Sequence, residues 1–136
     1  MSGTQTSTLV FAGILAPGAS TNVTESWNGT NWTAVNNMNT GRFYLGSAGA
    51  DNTASLGFGG DPSPPNPIGN TETWNRTNWT EVNDLNTARQ AFSMAGADNT
   101  SAIAFGGNVS PKAQTESWNG TNWTEVNDLN LSLIHI

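Results

Sequence analysis

Thr24-Glu25-Ser26-Trp27-Asn28-Gly29-Thr30-Asn31-Trp32-Thr33 returns as Thr71-Glu72-Thr73-Trp74-Asn75-Arg76-Thr77-Asn78-Trp79-Thr80. It returns again as Thr115-Glu116-Ser117-Trp118-Asn119-Gly120-Thr121-Asn122-Trp123-Thr124. The tryptophan pairs, 27/32, 74/79 and 118/123, set a period of 47 and then 44 residues. Self-similarity at this spacing marks a repeat architecture, so the repeat is the unit to interpret. A second block precedes each copy: 5–13 (QTSTLVFAG), 52–60 (NTASLGFGG) and 99–107 (NTSAIAFGG). The apolar run 9–16 falls in this block. It lacks a basic start and is too short to span a membrane, so it reads as strand rather than targeting signal.

Each repeat reads as four short strands. In the most complete copy the first runs over about 91–97 and ends at the Asp98-Asn99 turn. The second, 101–105, is small and apolar, as a strand covered on both faces should be. It stops at Gly106-Gly107, which tolerate backbone angles that a Cβ disfavours. The third covers about 114–118 and the fourth 123–126. The loop Asn119-Gly120-Thr121-Asn122 joins them as a tight hairpin. No window has helical periodicity, and the class is all-β.

Four-stranded repeats of this length predict a β-propeller built of antiparallel blades. The residues also resemble the kelch repeat family. Its pattern has a Gly-Gly doublet after the second strand, an acidic residue and an aromatic on the third, a Trp on the fourth, then hydrophobic-x-x-x-Arg. Here these are Gly59, Gly60, Glu72, Trp74, Trp79 and Leu85-Asn86-Thr87-Ala88-Arg89. The first copy has Glu25, Trp27, Trp32 and Met38-Asn39-Thr40-Gly41-Arg42; the third has Gly106, Gly107, Glu116, Trp118 and Trp123. The match departs in having Trp where the third-strand aromatic is usually Tyr, and Ala12-Gly13 as the first doublet. The Asn/Thr-rich blades also resemble those of virion proteins from uncultured marine phages.

The expected organisation is a partial blade over 1–40 (strands two to four), full blades over 41–86 and 87–130, and a tail over 131–136. That makes eleven strands, about 2.75 blades of an incomplete propeller. The tail, Leu131-Ser132-Leu133-Ile134-His135-Ile136, breaks the repeat where Thr-Ala-Arg is due. It matches a translated sequencing adapter and is expected to be a scar. Both ends read as cuts through a longer array; further blades in cis, or a second chain, would be needed to close the ring.

Only 10% of residues are charged, and the net charge is −6, with Arg42, Arg76, Arg89 and Lys112 the only basic side chains. No stretch is basic enough to follow a phosphate backbone, which argues against nucleic acid. Six Trp and five Phe need burial, which argues against disorder. With no Cys, a disulfide framework, a thiolate metal site and a cysteine nucleophile are excluded. The ten Asn-x-Ser/Thr sequons are what a chain this rich in Asn and Thr produces by chance.

The tryptophan faces offer stacking platforms for sugars, but their recurrence at fixed positions points to packing between blades. Glu25, Glu72 and Glu116, with Arg42 and Arg89, could suggest acid–base or metal chemistry, but they recur once per blade and read as structural ion pairs or hydrogen bonds to neighbouring strand ends. Asp51-Asn52 and Asp98-Asn99 offer oxygens to calcium, yet Asp and Asn at such turns ordinarily bond their own backbone. Galactose-oxidase-like enzymes carry copper on a kelch-type propeller through Tyr, His and a Cys–Tyr cross-link. This chain has no Cys, one Tyr and one His, and cannot assemble that site. No catalytic residue, metal or cofactor is expected.

What varies between copies is the connection from second to third strand: 14–22, 61–70 and 108–114. These loops supply the candidate ligand-face residues: Asp61, Ser63, Asn66, Asn70, Asn108, Ser110 and Lys112. In kelch propellers these loops share a face with the fourth-to-first connections, commonly the binding face. The expected function is non-catalytic binding of a protein or cell-surface glycan on a virion or extracellular surface, without membrane insertion. The alternatives are a structural or decorative repeat of a phage virion or surface fibre and, more remotely, a fragment of a larger propeller enzyme.

Overall fold

The computed structural model describes residues 1–108, 110 and 113–130; Lys112 and the tail 131–136 lie outside the described residues. The described residues form three four-stranded antiparallel sheets and no helix. Sheet 1 contains β1 (Ser2–Thr4), β2 (Ser7–Leu15), β3 (Ala19–Trp27) and β4 (Trp32–Val35). Sheet 2 contains β5 (Gly46–Asp51), β6 (Ala54–Phe58), β7 (Thr71–Trp74) and β8 (Trp79–Val82). Sheet 3 contains β9 (Ser93–Asp98), β10 (Ser101–Phe105), β11 (Thr115–Trp118) and β12 (Trp123–Val126). Each is a meander in chain order, so each has the form of a blade.

Two features depart from the sequence reading. The first sheet has a first strand of its own: β1 pairs Ser2 with Leu9 and Thr4 with Ser7, making twelve strands rather than eleven. The connection expected over 14–22 is largely strand, because Ile14 pairs with Ser20 and Leu15 with Ala19 around a turn at 16–18. Elsewhere the strand limits follow the pattern closely. The first strand of sheet 3 begins at Ser93 rather than near Ala91, since Ala91 takes a left-handed φ of 50° and Phe92 turns into the core.

The hairpin between third and fourth strands is built alike three times. Trp27 faces Trp32, Trp74 faces Trp79, and Trp118 faces Trp123 across the ladder. Their ring centroids are 5.3, 5.5 and 5.4 Å apart. In each loop one Asn oxygen accepts two backbone N–H groups: Asn28 from Thr30 and Asn31, Asn75 from Thr77 and Asn78, Asn119 from Thr121 and Asn122. The next residue must then be left-handed, with φ of 93° at Gly29, 82° at Arg76 and 94° at Gly120.

The core lies between sheets, in two layers. Alternation along a strand sends successive side chains to opposite faces. Leu9 and Phe11 of β2 therefore meet Trp74 and Trp79 of sheet 2, with Met38 from the linker. Leu56 and Phe58 of β6 meet Trp118 and Trp123 of sheet 3, with Leu85 and Phe92. Phe11 packs edge-on against Trp79 at 4.7 Å, and Phe58 sits 4.8 Å from Trp123. Burying a side chain of this size contributes about 1.5–3 kcal/mol. Each layer also has a polar pin: the Trp79 indole donates to Thr24 Oγ1, and that of Trp123 to Thr71 Oγ1, both at 3.0 Å.

Candidate functional site

The repeated acids and arginines are buried hardware. Glu72 accepts Asn39 N and Nδ2 on one oxygen and Thr40 N on the other. Glu116 accepts Asn86 N and Nδ2, and Thr87 N, in the same way. Arg89 donates to Glu116 at 2.8 Å and to the carbonyls of Gly106 and Gln114. Arg42 lies 3.3 Å from Glu72 and donates to the Gly57 carbonyl. Burial pushes the Arg42 guanidinium below its ordinary value, against the pull of Glu72. Each acid thus clasps the linker that enters its own sheet. Glu25 is the exception, exposed and without such a clasp.

The aspartate turns also hold the backbone. The Thr53 hydroxyl and N–H bond Asp51 Oδ1, and Thr100 does the same for Asp98. These bonds, the side-chain one foremost, hold both carboxyls below the usual carboxylate range. Asn52 and Asn99 then reach the neighbouring sheet, Asn52 to Ser26 and the Trp27 carbonyl, Asn99 to Thr73. Among the described residues, no group of three or more His, Cys, Asp or Glu could hold a metal ion.

The connections from second to third strand lie at the same end of the sheets as the linkers, and backbone bonds tie the two together. Gly13 N donates to Arg42 O, Gly60 N to Arg89 O, and Asn108 N to Gln90 O. The Gly-Gly doublets make these close approaches possible. Gly59 has φ 63°, and a Cβ there would come within 2.8 Å of the Arg89 carbonyl.

This loop end is where the candidate ligand-face residues fall, with one correction. Asp61 is fully buried. It pairs with Phe43 through two backbone bonds and turns its carboxylate onto Ser63 N, so its role is to anchor the loop. Asn70 is half-buried and bonded to Glu81. Ser63, Asn66, Asn108 and Ser110 are exposed, with Asn66 bracing its own loop through the Ser63 carbonyl. The repeat alignment does not anticipate three apolar side chains at this end: Ile14, Leu15 and Tyr44, exposed at 58%, 55% and 61%. Tyr44 stands in a left-handed turn (φ 57°) edge-on to Phe43, a conformation that pattern alone cannot reveal.

No helix among the described residues is long and apolar enough to cross a membrane. A scan against protein-family models finds no match, and a search of curated proteins finds none.

Proposed function

We propose that the chain is a non-catalytic recognition module of kelch-like β-propeller blades, which presents its second-to-third strand connections to a protein or cell-surface glycan. One contrast carries the reading. The tryptophan hairpins and Asn turns recur in all three sheets and the Glu clasps in the second and third, while the connections differ in build. The first is a protruding hairpin with a turn at 16–18; the second is a loop anchored by Asp61 and containing four of the six prolines. Rigid frames carrying unlike loops are how recognition surfaces are generally made. Exposed Tyr44 supplies the amphipathic aromatic that such surfaces favour, and Ser63 and Asn66 supply polar groups.

A glycan array and a panel of cell-surface proteins, probed with the soluble chain, test this. Selective binding lost on replacing 62–68 by a short Gly/Ser loop, with the β signal intact, supports recognition. A flat response on both makes the blades a spacer or decoration of a larger assembly.

A further inference from the structure

The two outer faces of the array carry the two halves of the interface that the chain makes twice internally. We propose that the open face of sheet 3 docks the open face of sheet 1 of a second copy, head to tail, with the same hydrogen bonds that join sheets 1 and 2 and sheets 2 and 3.

Each internal joint uses three polar contacts. A Trp indole donates to a Thr hydroxyl of the preceding sheet (Trp79 to Thr24, Trp123 to Thr71). An Asn after the fourth strand donates to the hairpin of the following sheet (Asn36 to Thr77 O and Asn78 Oδ1, Asn83 to Thr121 O and Asn122 Oδ1). A linker Asn is clasped by Glu of the following sheet (Asn39 by Glu72, Asn86 by Glu116).

On sheet 3 the corresponding groups are Thr115, Asn127 and Asn130; on sheet 1 they are Trp32, Thr30 with Asn31, and Glu25. Among the described residues, none of these makes the joint contact that its internal counterpart makes. Thr115 Oγ1 has no hydrogen-bond partner, whereas Thr24 and Thr71 Oγ1 each accept an indole N–H. Trp32 is 49% exposed, whereas Trp79 and Trp123 are 6% and 5% exposed. Glu25, Asn127 and Asn130 are exposed where their internal counterparts are bonded. The apolar groups agree: Leu129 is half-buried where Met38 and Leu85 are buried.

The surface is therefore self-complementary in a head-to-tail sense, and such contacts close into rings when the rotation permits. Two copies bring six sheets, within the roughly four to eight at which propellers close. One residue opposes a tight fit. Val10 occupies the position of Gly57 and Ala104, where the phenyl ring and linker side chain of the preceding sheet press in. A Cβ on Gly57 would already meet Met38 and Phe11 at 3.0 and 3.1 Å.

Sedimentation velocity of the full chain, from micromolar to near-millimolar concentration, is the first test, with a concentration-dependent dimer expected. Trp32→Ala should weaken it at least ~10-fold, as loss of a central aromatic anchor does. Thr115→Val should weaken it about fivefold, the loss of one neutral hydrogen bond, without lowering monomer stability. Val10→Ala should tighten it. The direction of assembly is read by cross-linking, because the chain has no Cys of its own. Asn31→Cys mixed with Asn127→Cys should join through a short bis-maleimide, and neither variant alone should. A monomer throughout the range, or equal cross-linking in either single-variant sample, overturns the proposal.

Discussion

Replacing Arg76 by glycine should stabilise the protein, and the size of the gain follows from its turn. Arg76 holds φ of 82° where the other two hairpins have Gly29 and Gly120 at 93° and 94°. A left-handed residue with a Cβ is disfavoured by about 1–2 kcal/mol. Glycine gives back part of that through its freer unfolded chain, about 0.4–1 kcal/mol. The exposed guanidinium has only a weak attraction to Asp51 to lose, worth at most a few tenths of a kcal/mol. The net gain is about 0.5–1 kcal/mol. At an unfolding entropy of about 2.1 cal/mol/K per residue, that raises Tm by about 2–4 °C. Space is not the constraint, because a Cβ at Gly120 would meet nothing nearer than 3.5 Å. Thermal and urea denaturation of Arg76→Gly beside Arg76→Ala make the assay. Alanine keeps the Cβ and removes the charge, so it should leave Tm nearly unchanged. Equal gains from both, or none from glycine, would refute the strain argument.

Glu116→Gln should cost about 3–5 kcal/mol in urea denaturation, because it leaves the buried Arg89 charge uncompensated and turns an amide toward N–H donors. Glu25→Gln, at the matching exposed position, should fall within about 0.5 kcal/mol of the parent. The Asp51 and Asp98 carboxyls sit below their ordinary value in the folded chain, so their contribution is complete above the unfolded carboxylate value near 4. It is lost as pH falls through the folded values. Tm measured from neutral pH downward should therefore drop below about pH 4, and the double variant Asp51→Asn/Asp98→Asn should show a shallower fall.

The pattern carried most of the fold because each repeated residue has a local job. Limits of 101–105 and 123–126 could be read directly, since Gly106-Gly107 and the Asn119 loop punctuate them. What stayed hidden depends on neighbours. Met1-Ser2-Gly3 aligns with Met94-Ala95-Gly96 of a first strand, but so short a piece counts as a strand only through its pairing with β2. Identical decamers make Trp32 and Trp123 look equivalent, yet one is half-exposed and the other buried, because only the second has a sheet in front of it. Of the candidate surface, the variable connections were legible as the places where copies disagree. Asp61 was not legible as an anchor, because a loop carboxylate bonded to its own backbone has the same spelling as one facing solvent.

The clasp between each acid and the linker before it has a consequence for synthesis. The donors Asn39 and Thr40 leave the ribosome ahead of Glu72, and Asn86 and Thr87 ahead of Glu116. Thr24 and Phe11 likewise emerge before the Trp79 that seals them. Each sheet therefore arrives to find its docking partner already made, and the first joint is complete when Trp79 clears the exit. A chain assembled in this order grows by vectorial addition, one sheet at a time.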